Sequence, residues 1–187
     1  MFHPKHRKPI LWTAIILLAL LCLFLFWKGM SDISGAKNKW KTSPEIAIDQ
    51  KLFYPVTDVL DGDTFKVKIN NKTITVRLLG VDTPETVDPS KPAQCFGPEA
   101  SDQTKTLLSG HSVRLVFETK RERRDKYGRY LVYAYRDDGL FLNETLLQSG
   151  FAREYTYGSA YSFQLHFRKT EQSARANSIG LWSACGK

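Results

Sequence analysis

The chain has 187 residues, enough for one domain with a real core plus an appendage, and too few for two domains of ordinary size. A content of 42% hydrophobic and 25% charged residues is ordinary for a globular protein, so disorder is not expected for the bulk of the chain. Lysine and arginine outnumber aspartate and glutamate by 27 to 19, and the net charge of +8 favours polyanions such as nucleic acid or anionic lipid. Seven of those cations precede residue 45, so the rest of the chain is only mildly basic and its charge alone does not identify a partner.

Residues 1–9 form a basic segment with Lys5, Arg7 and Lys8, and residues 10–27 carry no charge. Eighteen helical residues span about 27 Å, close to the roughly 30 Å hydrocarbon core of a bilayer. Trp12 and Trp27 stand where interfacial aromatics belong. Residues 10–27 are therefore expected to be a transmembrane signal anchor with the following domain outside the cytoplasm. Ser34-Gly35-Ala36 offers small residues for cleavage, so a secreted product is the alternative to a retained anchor. Residues 28–52 are polar and lysine-bearing, without a sustained apolar period, and read as a linker.

From 53 to 187 the pattern is that of one folded domain. Val56 to Leu60 and Thr64 to Ile69 are expected strands joined by Asp61-Gly62-Asp63, and Asn70-Asn71 suits the next hairpin. Thr73 to Leu79 follows, alternating Ile74, Val76 and Leu78 against Thr75 and Arg77 so that Arg77 leaves the aliphatic face. Pro84 pushes Thr83 out of the helical region, which predicts an exposed loop for Asp82 and Glu85. Asp88 to Pro92 is turn material; Pro98 opens a helix that Gly110 closes. Val113, Leu115 and Phe117 alternate as a fourth strand, and Tyr130 to Arg136 is the fifth. Asn143 is expected to cap a short helix ending at Gly150, and an aromatic loop runs from Tyr155 to Tyr161. A last helix begins near Ser162, with Phe163 and Phe167 as its docking face. Five strands with a helix between the third and fourth, and three helices in all, is the order of an OB-fold barrel, mainly β with packed helices.

The chemistry concentrates in Arg77-Leu-Leu-Gly-Val-Asp-Thr-Pro-Glu85, which brings a cation and two carboxylates within nine residues, with Asp61-Gly62-Asp63 nearby. Any one of these residues alone is most simply a solvated turn with a surface salt bridge. Together they suit a hard cation held by oxygen ligands, with a leftover carboxylate as general base and arginine for a phosphate. Asp63 and Asp82 are the expected metal ligands, the Thr83 carbonyl adds a third oxygen, and Asp61 is the weaker choice. Six cations and two acids lie between Lys120 and Arg129, normally a solvated loop. Arg129, after Gly128 at a strand start, is the second phosphate candidate.

The strings DGDT at 61–64, RLLGVDTPE at 77–85, GPEAS at 97–101 and DKYGR at 125–129 together resemble the thermonuclease (staphylococcal nuclease) family in order and spacing, over roughly Val56 to Trp182. The resemblance implies the same barrel and a calcium-dependent endonuclease. Asp63, Asp82 and Thr83 would hold Ca2+, Glu85 would activate water, and Arg77 and Arg129 would stabilise charge on the phosphodiester of DNA or RNA, leaving 3′-phosphate ends. Tyr127 and Tyr155, and less directly Tyr157, match positions that contact a terminal nucleotide, although tyrosines beside strands often only pack. The region around Tyr155 departs from the family pattern in length.

His111 and His166 lie in no acidic or cysteine context and are expected to be structural. Cys95 and Cys185 are a candidate disulfide if the domain is exported, though spacing does not establish contact. No protein partner is implied, and a monomer is expected. The competing reading is a non-catalytic OB module that binds single strands. Against it, a pure polyanion binder gains nothing from three carboxylates facing phosphate.

Overall fold

The computed structural model describes residues 18–28, 46–86 and 92–185. The chain divides into two units, Met1–Ala47 and Ile48–Lys187. In the first, residues 18–28 form a helix, α1, with every side chain exposed, including Phe24, Phe26 and Trp27. Among the described residues no helix is long and apolar enough to cross a membrane. Most of the expected anchor's first half, the basic segment and most of the linker lie outside the described residues, as do residues 88–91 of the expected turn.

In the second unit five strands close a barrel: β1 (Phe53–Asp61), β2 (Thr64–Ile69), β3 (Lys72–Leu78), β5 (Ser112–Val116) and β6 (Tyr130–Arg136), in the order β1-β2-β3-β6-β5. β4 (Val81–Asp82) pairs outside the barrel with β7 (Arg153–Glu154). The helices are α2 (Gly97–Leu108), α3 (Leu142–Gln148), α4 (Gln164–Ala176) and the short α5 (Leu181–Ala184). β1 is long enough to pair with β2 at one end and β5 at the other, and two register shifts against β2 bend it round the corner. β3 meets β6 in parallel, Val76 opposite Tyr130 and Leu78 opposite Val132, which closes the barrel.

The alternating residues behave as their period requires. Phe65, Val67, Ile74, Val76, Leu78, Val113, Leu115 and Val132 are buried, while Thr75 and Arg77 lie on the other face of β3. Asn70 adopts φ 53°, the left-handed turn conformation expected of it. Pro98 stands in the first turn of α2, and Ala100, Thr104 and Leu108, four apart, are its buried stripe. Phe163 and Phe167 pack edge-on against Tyr133, so α4 docks through the predicted face.

Three expectations need correction. Asp82 is not on a free loop: its backbone is in β4, opposite Arg153 of β7. Two-residue strands carry no readable alternation, so this sheet has no local sequence signal. Asn143 does not cap α3; Phe141 stands at the cap, and Asn143 is fully buried one residue inside the helix start. Its side chain accepts from Ala134 N (2.9 Å) and donates to Leu79 O (2.9 Å) and Val132 O (3.3 Å), spanning the seam where β3 and β6 part. Buried backbone groups at that seam need partners, and their demand outweighs the helix end's. Finally, α4 starts at Gln164 rather than Ser162, because the Ser162 amide and hydroxyl donate to Glu118.

Candidate active site

β2 begins immediately after the Gly62-Asp63 turn, and its register sets Thr64 opposite Arg77 of β3. The turn's side chains are thereby delivered to the polar face of β3. Gly62 is required there, since a Cβ would lie 2.7 Å from the Thr83 hydroxyl oxygen. The Gly62 carbonyl accepts from Thr104 of α2 at 2.6 Å, so the turn is held from the helix side as well.

Arg77 spans the two expected metal ligands. Its Nη1 donates to Asp63 Oδ2 at 2.5 Å and its Nη2 to Asp82 Oδ1 at 2.7 Å. Asp63 is buried; its Oδ1 accepts from Thr64 Oγ1 at 2.7 Å and its Oδ2 from Thr83 N at 3.3 Å. Burial pushes the Asp63 carboxyl above its ordinary range, while the Arg77 guanidinium and the Thr64 hydroxyl hold it down. Asp82 is half-exposed, so the fork runs from the interior to solvent.

Arg129 approaches from the other side. Its Nε donates to Asp125 Oδ2 at 2.6 Å and its Nη1 to Thr64 Oγ1 at 3.4 Å. Asp125 also accepts from the backbone N–H groups of Tyr127 and Arg129, both at 2.9 Å, so one carboxylate shapes the whole turn and aims the arginine. Sequence reading missed Asp125. Its signal was an acid two residues before a Tyr-Gly turn, the pattern of an Asx turn.

A cleft of about 590 Å³ is lined by Asp61, Asp63, Arg77, Asp82, Thr83, Glu85, Tyr127 and Arg129. All the expected catalytic and ligand residues therefore face one space. Glu85 is held at its backbone by Gln94: the Glu85 N–H donates to Gln94 Oε1 (3.2 Å), and the Gln94 N–H to the Glu85 carbonyl (2.9 Å). Asp61, the lesser candidate, is buried and accepts from Gly62 N (2.9 Å) and Thr86 Oγ1 (2.7 Å). Burial pushes its carboxyl up to about 6, with the Glu85 side chain and Asp63 adding to the rise. Cys95, beside Gln94, is disulfide-bonded to Cys185 at a Cα separation of 5.8 Å, tying the Glu85–Gln94 segment to the end of α5.

Among the described residues no group of three His, Cys, Asp or Glu side chains gathers into a metal cage. The donor set nonetheless fits a hard cation. Asp63 and Asp82 present carboxylate oxygens to the two tips of a single guanidinium, and the buried Thr83 Oγ1 beside them has no hydrogen-bond partner.

Beyond Arg77 and Asp82 the cleft continues into a hollow of about 290 Å³, which also takes in Gly80, Tyr127, Tyr155 and Tyr157. The β4–β7 pair builds it. Tyr155 N donates to Gly80 O at 3.2 Å, and Tyr161, hydrogen-bonded to Glu154 at 2.8 Å, packs where a Gly80 Cβ would stand, 2.6 Å away. Tyr127 is 71% exposed, Tyr155 45% and Tyr157 54%, so these rings are available to a ligand rather than spent on the core. His111 and His166 stand elsewhere, and contrary to the reading of the sequence each has an acid beside it, Asp137 for His111 and Glu144 for His166.

The fold and the site together describe a closed β-barrel bearing a cleft in which arginines and acids converge. Residues 75–184 match the family described as "Staphylococcal nuclease homologue". The chain is 44% identical to Endonuclease YncB of Bacillus subtilis (strain 168) over 77% of its own length and 68% of that protein. It is 39% identical to the Thermonuclease of Staphylococcus hyicus over 70% of this chain and 75% of that one. With the Thermonuclease of Staphylococcus intermedius it shares 33% identity over 91% and 96%. The chain belongs to the staphylococcal nuclease family, which places it among nucleases.

Proposed function

We propose that the protein is a calcium-dependent endonuclease that hydrolyses phosphodiester bonds of DNA or RNA and leaves 3′-phosphate ends. The observation that carries this reading is the Arg77 fork over Asp63 and Asp82, in one cleft with Glu85 and Arg129. A cleft made only to bind a polyanion would not set carboxylates at its centre, because uncompensated acids repel phosphate.

Asp63, Asp82 and Thr83 would hold the cation, and bound calcium supplies a Lewis acid that polarises the phosphodiester. The chain's own residues do the rest. Glu85 takes a proton from water as the water oxygen bonds to phosphorus; the bond to the 5′ oxygen breaks and that oxygen takes a proton from solvent, leaving phosphate on the 3′ side. Arg77 and Arg129 present fixed donors to the oxygens on which charge accumulates. Tyr127 and Tyr155 offer ring faces to the adjoining nucleotide.

The test is Glu85→Gln, which keeps size and polarity but removes the base. Cleavage of DNA and RNA in the presence of calcium should fall by about a hundredfold or more, the scale of a positioned general base, while calcium-dependent binding of a nucleoside bisphosphate persists. Cleavage at the parent rate in a nuclease-free preparation rejects Glu85 as the base, and parent activity undiminished by chelator rejects the metal.

We further propose that the domain lies outside the cytoplasm, anchored through residues 10–27. In support, the described part of that stretch is helical with its leucines and phenylalanines exposed. Full-length protein should stay with membranes through carbonate extraction; a carbonate-soluble product beginning near residue 37 means instead that the segment is removed.

A further inference from the structure

The β2–β3 register fixes Thr64 against Arg77, and Asp125 aims Arg129, but Glu85 stands three residues past the end of β4, outside every strand. What fixes it is Gln94. The Glu85 N–H donates to Gln94 Oε1 at 3.2 Å, and the Glu85 carbonyl accepts from the Gln94 N–H at 2.9 Å. Both backbone groups that flank the Glu85 Cα are thus bonded to one residue, which sets the direction in which the side chain leaves the chain. Glu85 and Gln94 line the same cleft.

Gln94 is itself tied to distant parts of the domain. Its carbonyl accepts from Gly97 N at 2.9 Å, closing a turn into α2. Cys95 is bonded to Cys185, and Phe96 stacks on Phe151 with centroids 5.3 Å apart. Phe96 takes a φ of 67°, uncommon for a bulky side chain. Gly97 lets this turn lie against the Glu85 backbone, since a Cβ there would stand 3.1 Å from the Pro84 carbonyl oxygen and 3.2 Å from that of Glu85. Farther along α2, the buried Thr104 donates to Gly62 O at 2.6 Å, beside Asp63. The Glu85 backbone and the Asp61–Asp63 turn are therefore both referred to one helix and the turn that opens it.

We propose that Gln94 is a positioning residue for the general base, its side-chain amide oxygen fixing the Glu85 backbone so that the carboxylate meets the water it deprotonates. The inference rests on the nuclease reading of the cleft and adds to it a residue that acts through Glu85. Proton transfer depends steeply on placement, and an error of about 1 Å can cost on the order of a hundredfold in rate. A bond that only closed a loop would matter for stability and leave turnover untouched, so the two roles part in experiment.

The experiment compares full-length protein in detergent with Gln94→Met, which keeps the length of the side chain without its amide, and with Gln94→Glu, which keeps an acceptor oxygen. Gln94 is exposed, so both substitutions leave the core alone. With calcium and a DNA oligonucleotide, Gln94→Met should lower kcat by about tenfold to a hundredfold, the cost of a displaced catalytic group. Its KM and its calcium-dependent affinity for a nucleoside bisphosphate should stay close to the parent's. Amide hydrogen exchange at Glu85 should quicken in Gln94→Met and remain slow in Gln94→Glu, which should also recover most of kcat. Placed in the Glu85→Gln background, where no base is left to position, Gln94→Met should cost nothing further. Parent-like kcat in Gln94→Met overturns the inference, and so does a loss that is carried in full into the Glu85→Gln background. A matching fall in bisphosphate affinity overturns it as well, because the whole cleft would then be distorted, and Gln94→Glu no better than Gln94→Met rejects the acceptor. A parent that cleaves neither DNA nor RNA with calcium rejects the nuclease reading and this role with it, whereas a cleaving parent beside an equally active Gln94→Met rejects Gln94 alone.

Discussion

The acid-and-arginine cleft and the aromatic hollow share Arg77, Asp82, Tyr127 and Arg129, yet they are built in different ways. The cleft is local. Asp63 and Arg77 are brought together by the register of one hairpin, and Asp82, five residues after Arg77, lies in the short β4. The hollow is distant, since Tyr155 reaches Gly80 across 75 residues through a sheet of only two pairs, locked by Tyr161 and Glu154. One region is thus set mainly by the register of a hairpin and the other by a pairing that spans 75 residues.

The contrast can be broken hardest at the cleft. Arg77→Ala removes the side chain that joins Asp63 to Asp82, and turnover should drop by about a hundredfold to a thousandfold, as for loss of one oriented charge-stabilising donor. Circular dichroism must show an intact barrel, because the variant also leaves Asp63 buried without its counter-charge. Steady-state cleavage then reads the effect, and an unchanged kcat would move charge stabilisation to Arg129 alone.

Cutting the Cys95–Cys185 link should act on stability more than on chemistry. The bridge closes a separation of 90 residues, and Cys95→Ser with Cys185→Ser should cost about 4.6 kcal/mol in a urea titration on the chain-entropy account. Activity at low temperature should survive in reduced form, because Gln94 keeps its two backbone bonds to Glu85. If stability is unaffected, α2 and α5 are held by packing alone.

At the hollow the expected effects are smaller. Tyr155→Ala should weaken binding of a nucleoside bisphosphate by about 1 to 3 kcal/mol, the range for loss of one base-stacking ring, with kcat little changed. A fall in kcat matching the fall in affinity would mean that the hollow positions the reacting phosphate and the two regions are not separable.

The smallest effect concerns acid stability. Glu118 accepts from the Tyr133 hydroxyl (2.8 Å), the Ser162 amide (2.7 Å) and the Ser162 hydroxyl (3.0 Å), joining the end of β5 to the start of α4. Burial opposes its charge, but those donors outweigh it and hold the carboxyl below its usual 4.5. A lowered folded-state value adds stability that is present above about 4.5 and is lost as pH falls through the folded value. Calorimetry should show the parent's Tm falling more steeply below that pH than the Tm of Glu118→Gln; parallel curves would mean that the contact is too solvated to matter.

Local sequence was enough wherever a residue's environment follows from its neighbours. The alternation of Ile74, Val76 and Leu78 settled which face of the third strand is buried, and so where Arg77 points, because side chains on a strand repeat every second residue. Pro98 and Gly110 bracketed α2 through their own dihedral preferences, and the nine residues from Arg77 to Glu85 hold an arginine and two acids that line the cleft. Only the tertiary structure decided that Asp82 lies in a strand rather than a loop, that Asn143 serves a barrel seam rather than a helix end, and that Asp125 aims Arg129. It also decided that the tyrosines after β7 stand beside Gly80. In each of these cases the partner lies on another element or across a turn, and a buried polar group takes whichever partner the assembled fold brings within hydrogen-bonding distance, a choice that is not encoded in the residues on either side of it.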